Sequence, residues 1–175
     1  MGDTPEFAAA TELTGWGWPD VLALGGGAAD PFETTSLGVT WRPKDRHFGV
    51  WHEGRVVAHA GLAVGAVEAG GQRFDVAGVG GVIVAPALRG HGLARLAVAG
   101  VLDAARVDGL DRALLFCLPS RAPLYLRLGF LPLPEPVTAD QPTGPAPVPL
   151  GAMWKPLTPG AGWPDGPVRL HSLPM

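Results

Sequence analysis

The stretch GGVIVAPALRGHGLARL, residues 80–96, sets the terms for the whole chain. Val82, Ile83 and Val84 form a β-branched run, and Pro86 ends it because proline offers no N–H to a sheet. Gly90 and Gly92 bracket a turn. From Leu93 to Val107 the chain is then apolar almost all round, with Arg95, Asp103 and Arg106 on one side at helical spacing. A strand and a helix that are both mostly buried, joined by a short turn, must share a core on one face of a sheet. This predicts an α/β layer fold in which the helix crosses over between two parallel strands.

The flanking segments supply the rest of the sheet. Residues 47–84, HFGVWHEGRVVAHAGLAVGAVEAGGQRFDVAGVGGVIV, read as three strands broken by hairpin turns at HEG and AGG, an antiparallel meander. Gly78, Gly80 and Gly81 lie inside the third run, where glycine marks a bulge or the close approach of another backbone, a ligand's among the candidates. After the helix, ALLFCL (113–118) reads as a buried strand that Cys117 closes as a packing residue, and RAPLYLRLGF (121–130) as a short helix closed by Gly129. Ser120 stands where it would cap that helix. Near the start, GWGWPDVLALGGGAAD offers only a short helix between Pro19 and Gly25. The proline-rich run 131–151 is expected to be extended loop, and AMWKPL (152–157) the final strand.

Bulk properties narrow the function. A chain of 175 residues, 47% hydrophobic, is enough for one domain, expected over residues 1–158 with an apolar tail, 159–175, packed on it. A net charge of −3 with 17% charged residues gives no broad basic surface, which argues against nucleic acid and anionic membranes as partners, so any anion site must be local. One cysteine rules out an internal disulfide, nothing near Met1 reads as a signal peptide, and no apolar run reaches the ~20 residues of a membrane helix. A cytoplasmic protein with no metal site is expected.

A strand that enters a glycine turn and then a helix suits phosphate binding, because the first helical N–H groups are unpaired and the dipole favours an anion. The dinucleotide fingerprint fails, since Arg95 stands where its third glycine belongs, and the lysine and hydroxyl of a nucleoside triphosphate loop are missing. Arg89-Gly90-His91-Gly92-Leu93-Ala94, with the valines and Pro86 upstream, resembles the acetyl-CoA signature of the GNAT acetyltransferases. PLYLRLGF, residues 123–130, resembles a second segment of that family at the right distance and in the right order. The resemblance implies a GNAT fold: a mixed sheet, antiparallel meander plus a splayed parallel strand pair, flanked by helices.

It also implies a chemistry, transfer of an acetyl group from acetyl-CoA to a primary amine of a small molecule. Backbone N–H groups from Arg89 through Gly90, His91, Gly92 and Leu93 to Ala94 would wrap the pyrophosphate, and side chains at the glycines would hold the phosphates off. Val82, Ile83 and Val84 would hold the pantetheine arm and thioester, with Ser120 within reach of the same arm. Tyr125, the only tyrosine, would protonate the leaving thiolate. For a general base the candidates are Asp75, early on the strand, and His91. A CoA-binding module without turnover, or an enzyme acting on a protein or peptide amine, are the other readings.

Within that superfamily VWHEGRVVAHAGL is similar to a segment of the aminoglycoside 2'-N-acetyltransferases, although Gly80 stands where those enzymes carry a glutamate. Asp30 and Glu33 fall near another acidic stretch of that group. In the tail, Trp163 and Asp165 are expected either at the acceptor pocket or, in the competing reading, covering a sheet edge or a homodimer contact. The other tryptophans, 16, 18, 41, 51 and 154, read chiefly as packing.

Overall fold

A computed structural model describes residues 6–175. Strands β1 (Thr11–Leu13), β2 (Arg46–His52), β3 (Arg55–Ala69) and β4 (Gln72–Val84) are antiparallel neighbours, and the short helix α1 (Trp18–Leu24) lies between the first two in the chain. Helix α2 (Leu93–Val107) crosses to β5 (Arg112–Cys117), which runs parallel to β4; α3 (Ala122–Arg127) and β6 (Leu131–Pro132) follow. β7 (Val137–Ala139), β8 (Ala146–Pro147), β9 (Gly151–Pro156) and β10 (Val168–Leu170) complete a ten-stranded mixed sheet. The order is β6-β9-β5-β4-β3-β10-β7-β8, with β2 also on β3 and β1 on β2. This is the mixed, helix-flanked sheet that the strand-turn-helix stretch predicts.

Each face of the sheet has its own core. On one, α2 presents Leu93, Ala97, Val98, Val101, Leu102 and Ala105 to the apolar side of β2, β3 and β4, and the excluded residues Arg95, Asp103 and Arg106 stay outside. Burial of such a stripe stabilises the layer by roughly 1.5–3 kcal/mol for each large side chain. On the other face Val67, Val76, Leu114, Val137 and Leu170 form a second cluster. β3 reaches both because its side chains alternate, Ala58, Ala60 and Leu62 entering the first cluster and Ala63, Val67 and Ala69 the second, while one of its edges serves β2 over Arg55–Leu62 and β10 over Val67–Ala69.

Two expectations change in the last third. The proline-rich run is not simply loop: Val137–Ala139 pairs with β10, and Ala146–Pro147 with β7, as short strands that the intervening prolines cannot lengthen. Nor is Gly151–Pro156 the final strand, since Val168–Leu170 inserts beside β3. Trp163 packs edge-on against Phe74 at 5.3 Å and at a tilt against Trp154 at 5.6 Å, and Asp165 lies at the β3–β4 turn beside Gly70. Both therefore sit at the start of β4, at the opposite end from its glycine-rich stretch, and cover the sheet there. No described helix is long and apolar enough to cross a membrane.

Candidate active site

β4 and β5 are in register only at Ala77↔Ala113 and Gly78↔Leu114, and then separate. The divergence starts at a bulge: the register of β4 on β3 slips between His59 and Gly61, and Gly81 takes a left-handed φ of +60°. Glycine reaches that conformation without the strain a Cβ would bring. The opening leads into a cleft of about 730 Å³, walled by the end of β4, the turn into α2, the end of β5 and α3.

The structure brings nearly all of the sequence-predicted residues to this cleft. Val82, Ile83, Val84, Arg89, Gly90, Gly92, Leu93, Ala94, Ser120 and Tyr125 all line it. Gly90 and Gly92 have φ of +85° and +76°, and a Cβ on either would point into open space. They are thus required by the backbone, and they leave it bare on the cleft side. No side chain caps α2, so its first N–H groups have no side-chain partner at the mouth of the cleft. Arg89, Arg95, Arg121 and Arg127 line the same cavity, and among the described residues no carboxylate does. In a chain of net charge −3 this is a local concentration of positive charge.

Some predicted roles do not survive the geometry. The His91 ring is exposed, faces Phe7 at 6.4 Å and does not line the cleft, so it is misplaced for a base. Asp75 is exposed and lies five residues up β4 from Gly80, about 17 Å along an extended strand, which removes it too. Ser120 makes no cap, since it sits in the turn Pro119–Arg121 and Arg121 occupies the position before α3. The Asp30 carboxylate accepts the N–H groups of Thr34 (3.1 Å) and Thr35 (2.9 Å), which hold its pKa below the usual range and shape the segment whose Pro31, Phe32 and Thr34 line the cleft.

Tyr125 is 9% exposed and packs edge-on against Phe130 at 5.8 Å. Burial, and secondarily Cys117 nearby, pushes its phenol well above the ordinary value of 10.0, so it is present as a proton donor at any working pH. Cys117 also lines the cleft; burial raises its thiol, and its Sγ rests 3.7 Å from Met153 Sδ, a packing contact.

Sequence reasoning missed the groups packed against the bulge. His59, on β3, is 0% exposed; its Nδ1 lies 2.7 Å from the Gly81 carbonyl oxygen and its Nε2 2.8 Å from His47 Nδ1. The Lys44 side chain runs over the paired glycines 61 and 80, and at Gly80 its Cε and Nζ come within 2.6 and 3.0 Å of where a Cβ would stand. Met175 crowds Gly78 in the same way. The close approach foreseen at these glycines is therefore made by the chain itself. A lone histidine within the apolar run VVAHAGLAV was the available signal for His59; nothing local marks Lys44.

Lys44 carries a measurable consequence. Burial, reinforced by Arg42 and opposed by Asp45, lowers its pKa from 10.5 to about 8. Below pH 8 both folded and unfolded chains hold the proton, and the folded state bears the full desolvation cost; as pH rises toward 10.5 the unfolded chain binds more protons and stability increases. Lys44→Met keeps the apolar stem and removes the charge. The variant is expected to be more stable than the parent at pH 7 by on the order of 2 kcal/mol, with the gap closing by pH 10, in urea unfolding at the two pH values.

The family model described as Acetyltransferase (GNAT) family matches residues 16–130. No curated protein matches the sequence. Among solved structures, a GNAT family N-acetyltransferase (YhbS) from Escherichia coli in complex with CoA is 19% identical, with 95% of this chain and 92% of that one covered at a TM-score of 0.59. N-acetylglutamate synthase from Neisseria gonorrhoeae, complexed with coenzyme A and N-acetyl-glutamate, is 16% identical over 87% of this chain and 36% of that one, TM-score 0.58. A GCN5-related N-acetyltransferase from Kribbella flavida is 36% identical over 50% of this chain, which is 22% of its own length, at a TM-score of 0.47.

Proposed function

Because the chain belongs to the acetyltransferase (GNAT) family of N-acetyltransferase enzymes, we propose that it moves an acetyl group from acetyl-CoA directly to a primary amine of a small molecule. The observation that carries this reading is the meeting, in one cleft, of a bare glycine turn at a helix N-terminus, four arginines and a buried phenol. The turn and arginines fit the phosphates of CoA, and the opened strand β4 fits the pantetheine arm and thioester. The amine nitrogen attacks the thioester carbon, the carbonyl electron pair moves to oxygen, and its return expels the CoA thiolate, beside which Tyr125 supplies a donor. With no carboxylate or imidazole lining the described cleft, the amine enters as its free base and its proton leaves to water.

The acceptor end favours a small, weakly charged amine over an aminoglycoside. A polycation needs carboxylates, whereas here Asp30 is engaged in its own turn and the Lys44 ammonium lies beside Gly80. Single buried Cys117 is in keeping with a reducing, cytoplasmic setting. The test is acetyl-CoA-dependent thiol release across amino acids, polyamines and aminoglycosides. Turnover is expected with at least one monoamine, rising with pH through that amine's own pKa. Binding of CoA without turnover on any amine would make the protein a regulatory module; turnover confined to aminoglycosides would reverse the choice of acceptor.

A further inference from the structure

We propose that His59 is a positioning residue, whose imidazole holds the Gly81 carbonyl and so aims the Val82 N–H into the cleft as the oxyanion donor. This rests on the acyltransferase reading above and adds to it the group that fixes the donor. The Gly81–Val82 peptide is trans, as is every described peptide bond, so its C=O and N–H point in opposite directions. A carbonyl turned toward β3 by a 2.7 Å contact with His59 therefore turns the following N–H away from β3, toward the side where β5 has separated. A bulged residue at φ +60° has lost its regular ladder partner, and the His59 contact stands in for the bond that the ladder would supply.

The tautomer follows from the partners. A carbonyl oxygen only accepts, so His59 Nδ1 carries the proton, and Nε2 offers its lone pair to His47 Nδ1, which must then be the donor. Trp16 stacks on the His59 ring, centroids 5.8 Å apart and planes 9° from parallel. The charged groups around the pair are Lys44, from the segment before β2, and Asp20, from α1. A second proton on His59 would set two N–H groups against each other at the His47 contact. Burial opposes it, lowering His59 to about 4, while His47 can gain a proton at Nε2 with both hydrogen bonds intact. No proton moves along the pair in this role.

Two measurements test it. Isotope-edited infrared spectra of acetyl-CoA labelled with ¹³C at the carbonyl are expected to show the bound band displaced to lower frequency in the parent protein. In His59→Phe most of that displacement should disappear, with acetyl-CoA affinity within threefold and turnover lower by on the order of 100-fold. His59→Gln, which restores an N–H donor, should recover part of both. An unchanged displacement in His59→Phe overturns the role alone; failure of the parent to bind acetyl-CoA overturns it together with the acyltransferase reading. Independently of any variant's folding, ¹⁵N spectra of the parent should report His59 protonated at Nδ1 and bare at Nε2, and the reverse tautomer overturns the proposal.

Discussion

Gly92→Glu is expected to weaken acetyl-CoA binding by at least 100-fold while the protein stays folded. In the free protein the new side chain meets nothing, because a Cβ at Gly92 has no neighbour within 4 Å. The φ of +76° imposes a left-handed conformation on glutamate, a cost of roughly 1–2 kcal/mol. Part of this is offset, since a carboxylate at the uncapped start of α2 meets its unpaired N–H groups and the positive end of its dipole. The variant thus supplies its own anion and closes the position to a phosphate. Titration calorimetry against acetyl-CoA, with a thermal melt to confirm folding, checks this; equal affinity in the two proteins would remove the turn from the binding site. Gly92→Ala separates the components, since it carries the backbone strain without the charge.

For Tyr125→Phe the expected loss is in turnover, about 100-fold in kcat, with acetyl-CoA affinity little changed. The phenyl ring keeps the edge-on contact with Phe130 and the packing of α3, so only the hydroxyl is removed. The pH dependence adds a second constraint. An acid must be protonated to act, so activity through Tyr125 falls only as pH rises through its folded pKa. Burial places that above the ordinary value of 10.0. The parent enzyme should therefore show no falling limb below pH 10 attributable to this group. Single-turnover rates across pH 6 to 10 decide it: a rate in Tyr125→Phe equal to the parent's would mean that water protonates the thiolate.

The cleft was legible in the sequence where its parts are local. Turn and helix between Arg89 and Val107 are one continuous piece of chain, and the backbone demands of Gly90 and Gly92 are set by a few neighbouring residues. Tyr125 was legible because its surrounding segment keeps a recognisable pattern. What escaped depends on pairings between distant segments. His59 acquires its partners only when β3 is laid against both β2 and the bulge of β4, and Lys44 reaches Gly80 only through that same register. The tail's apolar character predicts docking, and its residues Val168–Leu170 lie beside β3. Its destination was set by the exposed edge of β3, which no feature of residues 159–175 could reveal. For His91 the turn sets the backbone, which the sequence shows, but the side on which the ring lies depends on Phe7, far away in the chain.

The two-residue register between β4 and β5 also bears on how the molecule assembles. β5 belongs mainly to β9, its partner along six residues, and β4 mainly to β3, so the sheet is two cooperative pieces joined at a seam. The hairpins of β2, β3 and β4 close over short loops and can form early, whereas the seam joins segments on opposite sides of α2 and must wait for that helix to dock. The backbone amides beside this seam are therefore expected to exchange with solvent sooner than those of the meander that holds the histidine pair, which hydrogen exchange would show.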